Sequence, residues 1–184
     1  MSSNSQEMRV PPSPTTYRST EVAGRIVVGV ADIALCDDPS AIVVTYALGS
    51  CIGVSIYDPV ARVGGLLHFM LPESKINVEK AGQTPAMFAD TGVPLLFKGA
   101  YELGAKKERL IVIAAGGAEV LADDGHFKVG SRNRTMLRKL FWKNNILLSA
   151  DDTGGSISRT VILRMSDGEV TVRTKGKERT LWPT

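Results

Sequence analysis

The stretch Thr45-Tyr-Ala-Leu-Gly-Ser-Cys51-Ile-Gly-Val-Ser-Ile-Tyr-Asp-Pro-Val-Ala-Arg-Val-Gly-Gly-Leu-Leu-His68-Phe-Met-Leu-Pro72 decides how this chain is read. Cys51 through Tyr57 and Arg62 through His68 both read as strands, and Asp58-Pro59 between them is turn chemistry. A short loop that opposes Tyr57 to Arg62 puts Cys51 directly across from His68. Opposed residues on antiparallel strands have Cβ atoms roughly 4.5–5.5 Å apart, within reach of a thiol–imidazole hydrogen bond. The same pairing sorts the side chains. Ile52, Val54 and Ile56 fall with Leu67, Gly65 and Val63 on an apolar face, while Cys51, Gly53, Ser55 and Tyr57 share the other with His68, Leu66, Gly64 and Arg62. One face suits a core, and the other is open to chemistry.

A thiol beside an imidazole is the minimum apparatus for nucleophilic catalysis. A cysteine alone on a strand is more often a small core residue, and Cys36, with nothing nearby to activate it, takes that reading. Cys51 differs because glycines flank it and a histidine lies at cross-strand distance. Thr45, six residues before Cys51, is the natural third member. Its hydroxyl would accept a proton from the far nitrogen of His68, although β-propensity alone also accounts for a strand threonine. His68 takes the Cys51 proton either before substrate arrives, as a thiolate–imidazolium pair, or during attack. The N–H of Cys51 and another from the Gly49-Ser50 turn are the expected donors to an oxyanion. The chain reads as a cysteine hydrolase.

Composition narrows the alternatives. The 184 residues suit one domain, and 43% hydrophobic residues are enough for a full core. A net charge of +3 without basic runs interleaved with aromatics argues against nucleic acid. Two cysteines suit a reducing cytosol, the N-terminus lacks the apolar core of a signal peptide, and no apolar run spans a bilayer, so a cytoplasmic protein without membrane insertion is expected. Cys36, Cys51, His68 and His126 lack the short paired spacing of a zinc site; no metal and no cofactor are expected.

Residues Met1–Thr20 are polar and proline-bearing and read as a disordered tail, 21–174 as the folded domain, and 175–184 as a basic mobile tail. Strands are expected at 25–34, 41–46, 109–115, 146–149, 157–165 and 170–174, besides the hairpin. Residues 72–85 read as a polar loop. A helix is expected over 87–104, or from a later start near Pro94, and a second over 131–144, where Met136, Leu137, Leu140 and Phe141 recur at helical spacing. Arg132, Arg134 and Arg138 form its solvated side. Strands grouped around two main helices predict an α+β fold with a mixed β-sheet.

The motif Leu48-Gly-Ser-Cys-Ile-Gly-Val-Ser-Ile-Tyr-Asp-Pro, followed by Gly64-Gly-Leu-Leu-His68-Phe-Met-Leu-Pro72, resembles that of the CheD family of chemoreceptor glutamine deamidases. The likeness continues through Phe88-Ala-Asp90, Gly116-Gly-Ala118, Val129-Gly-Ser-Arg-Asn133 and Asp152-Thr-Gly-Gly155. Phe88 stands where many members have Tyr, and Gly92 and Pro94 interrupt a segment that is usually helical. The resemblance implies a layered α/β sandwich, like the deamidating domain of the cytotoxic necrotising toxins, with Thr45, Cys51 and His68 as the catalytic set. It also implies the substrate, glutamine side chains on the cytoplasmic helices of chemoreceptors, and a partner, the CheC phosphatase. A helix must then dock beside Cys51, and the 72–85 loop with Lys75 and Lys80 is the expected wall. Two other readings stay open: hydrolysis of receptor methyl esters by the same Cys–His pair, and a regulatory binding module for the phosphatase in which the cysteine is vestigial.

Overall fold

The computed structural model describes residues 20–22, 24–119 and 128–183. Eleven strands among these form two mixed sheets. The first sheet runs β1 (Thr20–Val22), β2 (Arg25–Val27), β4 (Ile42–Leu48), β9 (Arg159–Arg164), β10 (Val170–Thr174) and β11 (Lys177–Trp182). The second runs β3 (Asp32–Cys36), β6 (Val63–Phe69), β5 (Ile52–Asp58), β7 (Ile111–Gly116) and β8 (Ala150–Thr153). The helices are α1 (Val78–Gln83), α2 (Ala89–Glu102) and α3 (Val129–Lys143). The expected α+β sandwich is present, with two sheets where one was foreseen.

Alternation builds the layers. Ile52, Val54, Ile56, Val63, Leu67 and Ile33 point from the second sheet into a core shared with Val93, Leu96 and Phe97 of α2 and Leu137 and Phe141 of α3. The opposite face sends Tyr57, Leu66, Ala34 and Ile113 into a second core against Val43, Val161, Leu163 and Val172 of the first sheet. Each fully buried aliphatic side chain contributes about 1.5–3 kcal/mol. The second sheet is thus the middle of a sheet–sheet–helix sandwich, and its inter-sheet face carries His68.

The hairpin forms, but its register is corrected. Tyr57 pairs with Gly64 and Gly53 with His68, a slip of two residues from the expected pairing of Tyr57 with Arg62. An even slip leaves every side chain on its expected face. The cause is the turn. The Asp58 carboxylate accepts the N–H groups of Val60 and Ala61, and the Arg62 N–H donates to the Asp58 carbonyl with φ +56. Arg62 therefore belongs to the loop.

Asp58 does more than turn the chain. Its fully buried carboxylate also accepts the Lys106 N–H and a forked bond from Arg109 at 2.6–3.0 Å. Burial alone would raise its pKa, but the guanidinium and the three N–H groups outweigh that and hold it at about 2. Asp58→Ala leaves Arg109 and those N–H groups without their acceptor, and breaking a buried pair costs about 3–5 kcal/mol. Urea unfolding should show that loss; a change under about 1 kcal/mol would contradict it.

Other boundaries shift for identifiable reasons. The expected strand 25–34 is two strands in different sheets, divided at Gly29–Ala31, where Ala31 takes φ +60 and donates its N–H to the His68 carbonyl. The segment 72–85 is not a loop throughout, since it carries a 3-10 turn at Ser74–Ile76, then α1, then another turn at Pro85–Met87. α2 begins at Ala89 and runs through Pro94. Gly92 brings it close to the sheet, because a Cβ there would lie 3.1 Å from Leu67 and 3.2 Å from Ala86. No strand forms at 146–149; Ile146 and Leu148 pack on the helix-side core and the ladder to β7 starts at Ala150. Residues 177–182, expected in a mobile tail, pair with β10 as β11. The 1–20 tail, apart from Thr20, and His126 lie outside the described residues.

Candidate active site

β4 ends in a bulge. Thr45 pairs with Val161 and Leu48 with Arg159, so Tyr46 and Ala47 together oppose Thr160. Ala47 takes φ +57, and the Gly49 N–H turns back to the Ala47 carbonyl at 2.8 Å. The chain then swings through Ser50 and Cys51 into the adjacent sheet as β5. This crossing between sheets puts the thiol at one end of the inter-sheet layer.

His68 is 1% exposed. It stands between Gly53 on β5 and Asp32 on β3. Gly53 keeps the site tight, because a Cβ there would come within 2.9 Å of Leu48 and 3.5 Å of Thr45. Asp32 shares the face of His68 but its Oδ1 accepts the Ile33 N–H at 2.8 Å.

Thr45 is wholly buried and its Oγ1 lies 2.8 Å from Nδ1 of His68. The same hydroxyl donates its one proton to the Val28 carbonyl at 2.8 Å. Oγ1 must therefore accept from His68, which fixes the proton on Nδ1 and leaves the lone pair on Nε2. Among the described residues Nε2 is buried and has no partner. An imidazole aimed in this way, base outward and donor anchored, is poised to take a proton.

Cys51 is half-buried, just ahead of β5. Because Gly53 is the residue opposite His68, Cys51 is a diagonal neighbour and not the facing residue expected. Diagonal positions are roughly 7–8 Å apart at Cα, with side chains still able to meet. No thiol–imidazole hydrogen bond is made among the described residues; catalytic hydrogen bonds commonly tighten only around a substrate. Burial raises the Cys51 pKa, and the residue's own backbone N–H offsets this in part. Burial lowers the pKa of His68 to about 4. The resting pair is thus a neutral thiol and a neutral imidazole.

The histidine shift has a consequence for stability. Its folded pKa lies below the unfolded value of about 6.5. Between the two values the unfolded chain binds a proton that the folded chain does not, so stability is complete above pH 6.5 and falls as pH drops through 4. The loss approaches about 3 kcal/mol from this residue. Urea midpoints at pH 7 and pH 4.5 should differ more for wild type than for His68→Gln, and equal differences would contradict the assignment.

Three donors hold the loop that carries the thiol. The Ala118 N–H donates to the Gly49 carbonyl at 2.8 Å, Nδ2 of Asn133 to that of Ser50 at 3.0 Å, and the Gly117 N–H to that of Cys51 at 2.7 Å. Gly116, with φ +106, lets β7 come this close, since a Cβ there would collide with the Cys51 carbonyl. Gly49 cannot offer its N–H to a substrate, because Ala47 holds it. The N–H groups of Ser50 and Cys51 have no carbonyl partner among the described residues.

Of the other residues singled out in the sequence, Lys75 is exposed and paired with Glu73 at 2.8 Å, and Lys80 is exposed on α1. Cys36 is a core residue of the inter-sheet layer. Arg134 and Arg138 pair with Glu119 and Asp151. Sequence reasoning missed the role of Asn133, although a signal was present: it is the one amide on the buried stripe Gly130, Asn133, Leu137, Phe141 of α3.

The site thus places a half-buried thiol and an anchored, buried imidazole at one end of a sheet–sheet–helix sandwich. The family description "CheD chemotactic sensory transduction" matches residues 70–174. A probable chemoreceptor glutamine deamidase CheD of Syntrophus aciditrophicus is 52% identical over 153 residues, covering 83% of this chain and 96% of that one. A counterpart in Solibacter usitatus is 46% identical over 159 residues, covering 86% and 94%. One in Pyrococcus horikoshii is 40% identical over 154 residues, covering 82% and 93%. The chain belongs to the CheD family. No helix among the described residues is long and apolar enough to cross a membrane.

Proposed function

We propose that this protein hydrolyses the side-chain amide of glutamines in chemoreceptors, giving glutamate and ammonia through a thioester on Cys51. The observation that carries the site assignment is the unpartnered Nε2 of His68, directed by Thr45 and Val28. The names of relatives matched over more than four-fifths of this chain support the substrate.

The chemistry follows from the resting state. Substrate brings its amide carbon to Cys51, and Nε2 takes the thiol proton as sulfur adds to that carbon. The oxyanion accepts hydrogen bonds from the N–H groups of Ser50 and Cys51; each such donor contributes about 2.7–4 kcal/mol. The imidazolium passes its proton to the departing nitrogen, the C–N bond breaks and ammonia leaves. Water then attacks the thioester, its proton going to Nε2 and on to the sulfur, which restores the thiol and frees glutamate. Thr45 is a neutral acceptor for Nδ1–H throughout, so it orients the ring and stabilises the cation less than a carboxylate would. The pair is neutral at rest, so proton transfer accompanies attack.

The substrate is a residue in a protein, so its flanking chain needs a surface beside the thiol. The segment 72–85, with Lys75 and Lys80, remains the proposed wall of that groove, and a CheC-type phosphatase the proposed competitor for it. Product analysis on a chemoreceptor cytoplasmic fragment separates the readings. Ammonia release is expected; methanol release from a methylated fragment would instead indicate ester hydrolysis. Phosphatase binding with neither product would indicate a regulatory module.

A further inference from the structure

We propose that Asn133 is a positioning residue for the oxyanion: it holds the peptide unit whose N–H, that of Cys51, faces the reacting carbonyl. The inference rests on the acyl transfer assigned to Cys51 and adds a residue on a different element. In a trans peptide, the C=O of one residue and the N–H of the next point in opposite directions. Anchoring the Ser50 carbonyl on one side therefore aims the Cys51 N–H to the other. Asn133 supplies that anchor at 3.0 Å, and the Cys51 N–H has no carbonyl partner among the described residues. The preceding peptide is aimed in the same way, by the Ala118 N–H on the Gly49 carbonyl. That second anchor is backbone, so Asn133 is the side chain through which the loop can be perturbed.

The amide is also a bridge. Its second Nδ2 hydrogen goes to the Met70 carbonyl at 2.9 Å, two residues beyond His68. One NH2 group thus ties the loop of the nucleophile to the end of the strand of the base. Asn133 is 0% exposed, on a helix packed against the second sheet, so the bridge is held from a rigid element. A neutral NH2 can serve two carbonyls at once without burying a charge. Aspartate has the same shape but presents an oxygen to both, and leucine is nearly as large but presents nothing.

The test separates reactions that need an oxyanion from one that does not. Acylation of Cys51 by p-nitrophenyl acetate passes through a tetrahedral oxyanion whatever the natural substrate is. Alkylation by iodoacetamide displaces iodide at a saturated carbon and forms none. Both are read by intact mass on wild type, Asn133→Asp and Asn133→Leu, with the thermal midpoint as a check on folding. Acylation should fall about 10-fold or more, towards the 10²–10³ that loss of a direct donor causes, while alkylation changes less than about 2-fold. Ammonia release from the chemoreceptor fragment should fall in parallel, through kcat with KM little changed. Equal acylation in wild type and either folded variant overturns the proposal. So does a parallel loss of acylation and alkylation, which marks a structural role. Should one variant fail to fold, the other decides. If wild type releases no ammonia yet the acylation difference holds, the deamidase reading fails and the role of Asn133 stands.

Discussion

Cys51→Ala should abolish ammonia release from a chemoreceptor fragment and leave the fold intact. The thiol is half-buried at the mouth of the inter-sheet layer and shares no hydrogen bond with another side chain among the described residues, so removing it breaks little. It is nevertheless the atom proposed to form the thioester, and its neighbours offer no substitute. Asp32 has its Oδ1 on Ile33, and the Thr45 hydroxyl is fixed between Val28 and His68. Cys36→Ala should keep full turnover, since that sulfur lies in the core near Asp38. A Cys51→Ala protein with the wild-type thermal midpoint and no activity is the expected result. Activity in that variant, or its loss in Cys36→Ala, would move the site elsewhere.

His68→Ala should lower kcat/KM by about 10²–10⁴, the contribution of a positioned acid–base group. The loss is this large because the Cys51 thiol rests protonated and has no other base. Thr45→Val removes only the acceptor for Nδ1–H and the donor to Val28, so the ring keeps its basicity and loses its aim. Its loss should be smaller than that of His68→Ala. Nε2 must be unprotonated to take the thiol proton, and with a pKa of about 4 it stays so down to mildly acid pH. Wild-type kcat/KM should hold from pH 8 down to about pH 5 and fall below that. A fall centred on pH 6.5, the value of an unperturbed histidine, would show that the imidazole is not desolvated as the structure has it.

What the sequence made legible follows from what its patterns encode. Alternation over residues 51–57 and 62–68 assigned each side chain to its face, and those faces are as read. The register was not legible, because it depends on a carboxylate that turns inward to hold Val60 and Ala61, and turn composition does not reveal which loop residue takes φ above zero. One apolar run, Arg25 to Ala34, looked like one strand, since both sheets bury the same residue types; the change of sheet lies in the conformation of Ala31. β11 resembles a tail in sequence because an edge strand rich in charge has the composition of a solvated segment. Thr45, Cys51 and His68 were nominated by residue type and spacing. Two of the three anchors of the loop leave no such mark, because the Gly117 and Ala118 N–H groups belong to the backbone and carry no residue signature.

Peptide mapping by mass spectrometry of a chemoreceptor cytoplasmic fragment, incubated with wild type or with Cys51→Ala, decides whether Cys51 carries the deamidation. Wild type should convert particular glutamines to glutamate, with ammonia released in equal amount, and Cys51→Ala should convert none. An unchanged fragment after incubation with folded wild type, or the same conversions with Cys51→Ala, would contradict it.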